Sequence, residues 1–302
     1  MRPHLKGILY AVIGVLVLSP DSLLIRLVSA DTWSIVFWRG LLSSLTLSAW
    51  LLARYGRRTI TIFRSVGRTG LTASILFAIG NVFFVLAITH TTVANTLVII
   101  GIAPLIAALL SRFVLAEQIP LRTWIAIPVA LSGVVLAVSS NLGEGRFFGD
   151  LFAVGAAICV GTHMVALRHG RHVDMTPSAG MGAAFGAFLV LPLASPLAIS
   201  QQDAIYLGIL GIGVIAVSFG FIVVAPRYLQ APEVNLLMLI EMIIGPYWVW
   251  LALGEEPGAR AVVGGCVVLT TLIVHSLIGL RDGSNTKERE RKVGTGAVTA
   301  EE

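Results

Sequence analysis

The sequence predicts an all-α membrane protein with ten transmembrane helices, arranged as two inverted five-helix repeats with both termini in the cytoplasm. Three observations support this fold class. The chain is 56% hydrophobic and only 12% charged, with a mean hydropathy of +0.90, whereas soluble domains carry roughly 25% charged residues. Its apolar residues form ten runs long enough to cross a bilayer. The first of these runs also resembles the sixth.

The ten apolar runs set the predicted helices in order. Charged residues are rare inside the runs, so we interpret each as one span of about 20 residues. Their approximate limits are 7–28, 33–52, 70–89, 93–113, 123–140, 150–167, 176–199, 204–224, 233–253 and 261–280. Most connections are short, so consecutive spans are expected to be antiparallel neighbours. Residues 281–302 are polar and charged, and we expect a disordered cytoplasmic tail there.

The distribution of lysine and arginine predicts the orientation. If the N-terminus is cytoplasmic, 17 of the 21 basic residues lie on the inner side of the membrane. Only Arg146 and Arg260 lie in outer loops, and Arg26 and Arg39 lie within spans. Because cytoplasmic loops of membrane proteins are enriched in basic residues, this bias predicts that both termini are inside.

The two halves of the chain overlay without a gap. Residues 7–26 lie over residues 149–168. The overlay pairs Gly7 with Gly149, Asp21 with His163, and Arg26 with Arg168. Each half has five spans, an odd number, so the second half must enter the membrane in the opposite orientation. We therefore expect a first repeat over residues 1–140 and a second, inverted repeat over residues 141–280, an architecture typical of transporters.

Local motifs accompany this architecture. Arg39 lies early in the second run within Phe37-Trp38-Arg39-Gly40, Pro104 precedes Glu117 by thirteen residues, and Gly133-Val134 lies late in the fifth run. With these motifs and two five-span halves, residues 5–280 resemble the EamA family of the drug/metabolite transporter superfamily. The resemblance implies a ten-helix metabolite transporter, often an exporter, whose central cavity is lined by helices from both halves.

Three charged residues, Asp21, Arg39 and Glu241, lie deep inside apolar runs. An unpaired charge at the centre of a span costs about 2.5–3.5 kcal/mol, so each needs a partner or water. At 1.5 Å per residue, Asp21 and Arg39 reach similar depths from opposite ends of the first two spans. We expect them to form an ion pair. The pair either fixes the two helices or acts as a gate or substrate-carboxylate site in which Arg39 binds the anion.

Glu241 is the first candidate for proton coupling. It lies about eight residues into the ninth run, close to the membrane midplane where transporter sites lie. A carboxyl there either binds and releases a proton during transport or packs helices in its neutral form. His163 mirrors the depth of Asp21 in the sixth run, and it either titrates in a proton-coupled cycle or serves as a packing group.

Polar and aromatic residues complete the candidate site. Asn95 and Asn235 occupy early positions in the fourth and ninth runs, and Asn81 lies in the middle of the third. Their amides hydrogen-bond either a polar substrate or a neighbouring helix. Trp248 stacks on an aromatic or cationic substrate or packs against lipid. The predicted substrate-binding or coupling residues are Asp21, Arg39, Asn81, Asn95, His163, Asn235, Glu241 and Trp248.

Signatures of several other classes are missing from the sequence. There is no GxxxxGK[ST] loop for ATP, and there is no HExxH or GxSxG motif of a hydrolase. Cys159 and Cys266 have no histidines spaced for a metal site. The basic residues lie between apolar runs instead of forming a stripe for nucleic acid. We therefore expect a non-enzyme that uses no cofactor or metal.

The sequence thus predicts a secondary transporter of small metabolites, exporting amino acids or related compounds by alternating access. Its expected partners are a small-molecule substrate, coupled protons and the lipid bilayer, and its expected location is the plasma membrane, with a charge bias that suits a bacterial inner membrane. The sequence specifies no oligomeric state. Three alternatives stay open: a carrier of lipophilic drugs or lipids, an intramembrane enzyme with a nucleophile–base pair, and a non-transporting scaffold. Convergence of the polar span residues on one cavity separates a transporter from a scaffold.

Overall fold

The computed structural model describes residues 3–116, 121–138, 146–271, 273–274 and 278, and these residues contain helices and no β-strand. The helices are α1 (Pro3–Leu18), α2 (Asp21–Leu27), α3 (Thr32–Tyr55), α4 (Thr59–Ser65), α5 (Gly67–His90), α6 (Val93–Ile100), α7 (Ala103–Val114), α8 (Leu121–Val138), α9 (Phe147–His169), α10 (Thr176–Val190), α11 (Gln201–Gly208), α12 (Ala216–Ile222), α13 (Ala231–Met238), α14 (Ile240–Leu253) and α15 (Ala259–Thr271). A π-helical segment, Ile209–Ile215, joins α11 to α12. The predicted all-α class is confirmed.

Within the described residues, seven stretches of helix are long and apolar enough to cross a membrane. They are His4–Leu27, Thr32–Ser65, Gly67–His90, Val93–Val114, Phe147–His169, Gln201–Arg227 and Ala231–Leu253. The helices α8, α10 and α15 lie at the positions of the predicted fifth, seventh and tenth spans. The count of ten crossings and the side of the termini stay predictions, and the predicted tail at 281–302 lies outside the described residues.

Three of these stretches are interrupted near the middle. The break between α1 and α2 falls at Ser19-Pro20, where the proline lacks a backbone donor. The break between α6 and α7 falls at Gly101-Ile102, and the one between α13 and α14 falls at Leu239. At both of the latter breaks, amides bond to carbonyls three residues back, as Leu239 N does to Leu236 O at 3.2 Å. Non-helical backbone at membrane depth is tolerated where protein or a cavity covers it.

The two halves pack against each other through equivalent surfaces. In the first half α1 packs on α12, and in the second half α9 packs on α5. A Cβ on Gly7 would lie 2.7 Å from Leu229 Cγ, and a Cβ on Gly149 would lie 2.7 Å from Thr91 Cβ. Only glycine fits such an approach at either position. Residues paired by the overlay therefore make matching contacts with the opposite half.

Two arginines paired by the overlay also bind matching backbone carbonyls. The Arg26 guanidinium donates to Thr91 O at 2.7 Å, just after α5. The Arg168 guanidinium donates to Pro226 O at 3.0 Å, just after α12. Arg26 also forms an ion pair with Glu255 at 3.4 Å, and Glu255 accepts a hydrogen bond from Val93 N at the start of α6. Together Arg26, Thr91, Val93 and Glu255 form what we call the first end cluster.

A second end cluster surrounds Asp174, in the connection between α9 and α10. Its carboxylate accepts hydrogen bonds from Tyr55 Oη at 2.6 Å and Thr176 Oγ1 at 2.7 Å, and it lies 3.3 Å from the Arg227 guanidinium. Burial alone raises the pKa of Asp174, but the hydrogen bonds from Tyr55 and Thr176 and the Arg227 charge outweigh it, so the pKa lies below its ordinary value. The cluster ties the end of α3 to the start of α10 and the end of α12.

We expect Asp174→Asn to lower the free energy of unfolding at pH 7 by about 1–3 kcal/mol, since Arg227 and Tyr55 lose a charged acceptor. The pKa of Asp174 is lower in the folded protein than in the unfolded chain. Its stabilising contribution is therefore present above about pH 4 and is lost as the pH falls further. Melting temperatures in detergent should differ between the two proteins at pH 7, and the difference should shrink as the pH falls below about 4. Glu233→Gln, at an exposed carboxylate, is the control. A difference that widens on acidification would contradict this role.

Candidate substrate cavity

A cavity of about 90 Å³ lies where the interrupted helices meet, large enough for several water molecules. Helices from both halves line it, among them α2, α3 and α5 from the first and α9, α12 and α14 from the second. Residues on both sides of each break lie in its wall: Leu18 and Asp21, Ile100 and Ala103, Met238 and Glu241. Helices that break beside a central cavity are the usual way in which transporters build a site at membrane depth.

A buried ion pair forms one wall of the cavity. Arg39 Nη2 lies 2.5 Å from Asp21 Oδ2, and Arg39 Nε donates to Asp21 Oδ1 at 3.2 Å. The two residues are 4% and 1% exposed. Arg39 Nη1 donates to Asn81 Oδ1 from α5, and the guanidinium lies 5.4 Å from the Phe84 ring centroid. The ion pair expected from the depths of the two residues is present, and it occupies the edge of the guanidinium formed by Nε and Nη2, while Asn81 binds Nη1.

Glu241, in the first turn of α14, lies on the cavity without such a partner. It is 7% exposed, and its Oε1 has no hydrogen-bond partner among the described residues. A buried carboxylate with an unused acceptor is unfavourable until it binds a proton or a cation.

His163 and Asn235 also present unused polar atoms to the cavity. His163 Nδ1 lies 2.9 Å from Ala73 O, while Nε2 has no partner within the described part of the chain. Both side-chain amide atoms of Asn235, in α13, also lack a hydrogen-bond partner among the described residues. Both residues are buried and line the cavity. Together with Glu241, they give it hydrogen-bonding capacity that protein groups described here do not use.

The rest of the wall is apolar. The Phe77 ring lies 5.5 Å from the His163 ring and 4.6 Å from Phe219, edge to face. Met164, Met238, Met242, Leu76 and Cys159 complete much of this surface. A mostly apolar pocket with a few converging polar groups is the usual form of a small-molecule site.

Six of the eight residues predicted for the site line this cavity: Asp21, Arg39, Asn81, His163, Asn235 and Glu241. Asn95 and Trp248 are not among its lining residues. Asn95 is buried in the first turn of α6. Trp248 is 38% exposed and donates through Nε1 to Ser19 Oγ at 3.3 Å, beside the break between α1 and α2. The phenylalanines were missed, since nothing in the sequence distinguishes Phe77 and Phe219 from other phenylalanines in apolar runs.

Comparisons with known proteins agree with this architecture. The model of the EamA-like transporter family matches the chain twice, over residues 5–139 and 147–277. The chain is 22% identical over 268 residues to an uncharacterized transporter from Archaeoglobus fulgidus, which covers 87% of this chain and 93% of that protein. One solved crystal structure shares the fold with a TM-score of 0.70 at 17% identity, over 90% of this chain and 97% of that one. The resemblance inferred from the sequence is therefore confirmed: this multi-pass membrane protein belongs to the EamA-like transporter family.

Proposed function

We propose that this protein is a secondary transporter that exports small metabolites, foremost amino acids and related compounds, by alternating access. One observation carries the proposal. Buried polar groups from both repeats converge on a single cavity and leave hydrogen-bonding capacity unused. A scaffold would distribute such groups among separate helix contacts. A carrier of lipophilic drugs or lipids is the second candidate, favoured by the apolar wall around Phe77 and Phe219.

The proposal includes a topology of ten spans with both termini in the cytoplasm of a plasma membrane, in two inverted repeats over 1–140 and 141–280. The end clusters support it. Arg26, Thr91 and Glu255 all lie on the side that the topology assigns to the outside, and they contact one another. Tyr55, Asp174 and Arg227 all lie on the assigned inner side and do the same. The matching contacts of Gly7 and Gly149 agree with a two-fold relation between the repeats.

Alternating access requires each end of the cavity to open in turn. The Arg26 and Glu255 side chains are 25% and 28% exposed. An ion pair that is partly hydrated contributes only about 1 kcal/mol, so this pair adds little to the energy of opening that end. The buried Asp21–Arg39 pair is different, because separating it would leave two charges in an apolar wall. We therefore infer that the end clusters open and close while this pair stays intact.

A thiol in the cavity provides a direct test. Cys159 lines the cavity, and Cys266 is the other cysteine of the chain. In a Cys266→Ser variant, a membrane-impermeant, charged methanethiosulfonate should modify Cys159 from either side of the membrane, because alternating access opens the cavity to both. Right-side-out and inside-out vesicles provide the two sides, and mass spectrometry measures modification.

The control is the Cys159→Ala/Cys266→Ser variant, which should remain unmodified. A transported metabolite should slow modification of Cys159 from both sides. If Cys159 reacts from one side alone, or only after denaturation, alternating access through this cavity is wrong.

A further inference from the structure

We propose that the cavity recognises its substrate through an ammonium group bound by Glu241 and Asn235. The substrate class is then a small amine or amino compound with an apolar body, and a free carboxylate is not required. This inference rests on the proposed transport function and restricts the class of substrates that the protein transports. It differs from the expectation that Arg39 binds a substrate carboxylate.

Arg39 has few N–H donors left for the carboxylate of a substrate. Its Nη2 and Nε atoms bind the two oxygens of Asp21, and its Nη1 atom binds Asn81. Three of the five N–H donors of Arg39 are therefore occupied, and a substrate carboxylate at the remaining two would lie beside the buried Asp21 carboxylate, which would repel it. A bidentate arginine–carboxylate pair is among the strongest polar contacts in proteins. The guanidinium therefore serves Asp21.

The unused oxygen atoms of Glu241 and Asn235 instead require a donor. An ionised carboxylate such as Glu241 only accepts hydrogen bonds, and the amide oxygen of Asn235 accepts as well. Both residues are buried, with Glu241 Oε1 and the Asn235 amide atoms lacking partners within the described ranges. An ammonium group carries three N–H donors in a compact head. It can donate to Glu241 and to Asn235 at once and still leave one donor for water or a backbone carbonyl.

The charges of the residues that line the cavity also favour a cationic ligand. Among the described lining residues, the acidic and basic groups are Asp21, Arg39 and Glu241, whose formal charges sum to minus one when all three are ionised and His163 is neutral. Asp21 and Arg39 cancel each other, so Glu241 carries the uncompensated charge. An isolated buried charge is costly, and a bound cation removes that cost. An anionic substrate would instead add a second uncompensated charge.

The apolar wall defines the rest of the ligand. Phe77 and Phe219 pack edge to face in the cavity wall, and the Phe84 ring lies 5.4 Å from the Arg39 guanidinium. Aromatic faces also attract cations, by about 0.5–2 kcal/mol. A cavity of about 90 Å³ admits a compact body and excludes a long chain. A short amine with a branched alkyl group matches this combination, and one with a ring matches it once the cavity enlarges as either end opens.

Three probes on one scaffold test the inference: 2-phenylethylamine, 3-phenylpropionate and phenylalanine. Each is added at pH 7 to the Cys266→Ser protein in liposomes, and the rate of Cys159 modification is measured. The amine should protect Cys159 at a concentration roughly tenfold or more below that of the acid, since a hydrogen bond to a charged group contributes about 1.5–3 kcal/mol. Glu241→Gln should remove this preference, and Asn235→Leu should reduce protection by the amine but not by the acid.

The outcomes separate this inference from the transport proposal. Equal or better protection by 3-phenylpropionate, or an amine preference that persists in Glu241→Gln, would overturn the ammonium site. If either result is found and Cys159 is still modified from both sides, the ammonium site is wrong but alternating access is still supported. Modification of Cys159 from one side only, with the amine preference intact, would contradict alternating access and leave the ammonium site supported. Should Glu241→Gln fail to fold, as judged by its melting temperature, the Asn235→Leu result decides alone.

Discussion

Glu241→Gln is expected to reduce proton-driven flux in liposomes to the level of protein-free liposomes while leaving the fold intact. Glutamine has nearly the shape of glutamic acid but can neither release nor take up a proton. Glu241 lies in the cavity wall, is buried, and lacks a hydrogen-bond partner at Oε1 in the described part of the chain. Its ionisation therefore depends on what enters the cavity, which is the property that proton coupling requires.

The other titratable residues that line the cavity act differently in this prediction. Asp21 is neutralised by Arg39, and His163 is held by the Ala73 carbonyl. Cys159 is buried among apolar groups. Flux is measured with and without an imposed pH gradient, using a substrate found in a screen of amines and amino acids. Unchanged gradient-driven flux in Glu241→Gln would remove Glu241 from the coupling mechanism.

Glu233→Gln is the matched control for this substitution. Glu233 lies in the first turn of α13, where its carboxylate accepts a hydrogen bond from Gln230 N at 3.2 Å. Glutamine can make the same capping contact. The side chain is 42% exposed and lies outside the cavity. The control variant should transport as the unmodified protein does, which shows that loss of a carboxylate near the broken helix is harmless unless it faces the cavity.

Arg39→Met is expected to destabilise the protein by about 3–5 kcal/mol, because it leaves the Asp21 carboxylate buried without a counter-charge. The methionine fills a similar volume, so loss of the ion pair dominates. Asp21→Asn should be milder, since Arg39 keeps its hydrogen bond to Asn81. Thermal unfolding in detergent and resistance to a protease measure both effects.

The double variant Asp21→Asn/Arg39→Met tests whether the pair is structural. It buries no charge, so it should be more stable than Arg39→Met alone. If transport returns with stability, the pair only fixes α2 to α3. If stability returns and transport does not, the pair has a role in the transport cycle. A double variant no more stable than Arg39→Met would show that charge burial is not the cause.

Depth in the membrane could be predicted from the sequence, because it follows from residue counts along a helix. Counting from the span ends placed Asp21 and Arg39 at one level, and they form a 2.5 Å ion pair. Composition and the internal overlay likewise indicated the family. The direction in which a side chain points was harder to predict, since it depends on how helices from distant parts of the chain pack together.

Asn95 shows why the direction of a side chain was not predicted correctly. Asn235 is the fifth residue of α13, and the fifth residue of α6 is Leu97, which does line the cavity. Asn95 lies two residues earlier, and two residues turn an α-helix by about 200°. The two asparagines occupy similar depths but opposite faces. Matching them by approximate position could not distinguish these faces.

Trp248, which was predicted as a site residue, lies outside the cavity lining for a different reason. It lies seven residues after Glu241 in α14, which is almost two full turns, so both side chains leave nearly the same face of the helix. Seven residues also separate them by about 10 Å along the axis. That distance takes the indole past the end of the cavity and towards Ser19. The sequence gives no measure of where a cavity ends.

The two broken helices α6–α7 and α13–α14 have similar lengths and occupy equivalent places in the two halves of the chain. Only α13–α14 has an acidic residue beside its break. The first turn of α7 begins with Ala103-Pro104, whereas that of α14 holds Glu241. A pair of identical half-chains would possess either two such carboxylates or none. The two halves of this chain differ in sequence at this position, so each molecule has one such carboxylate. Neither half, expressed twice, should substitute for the other.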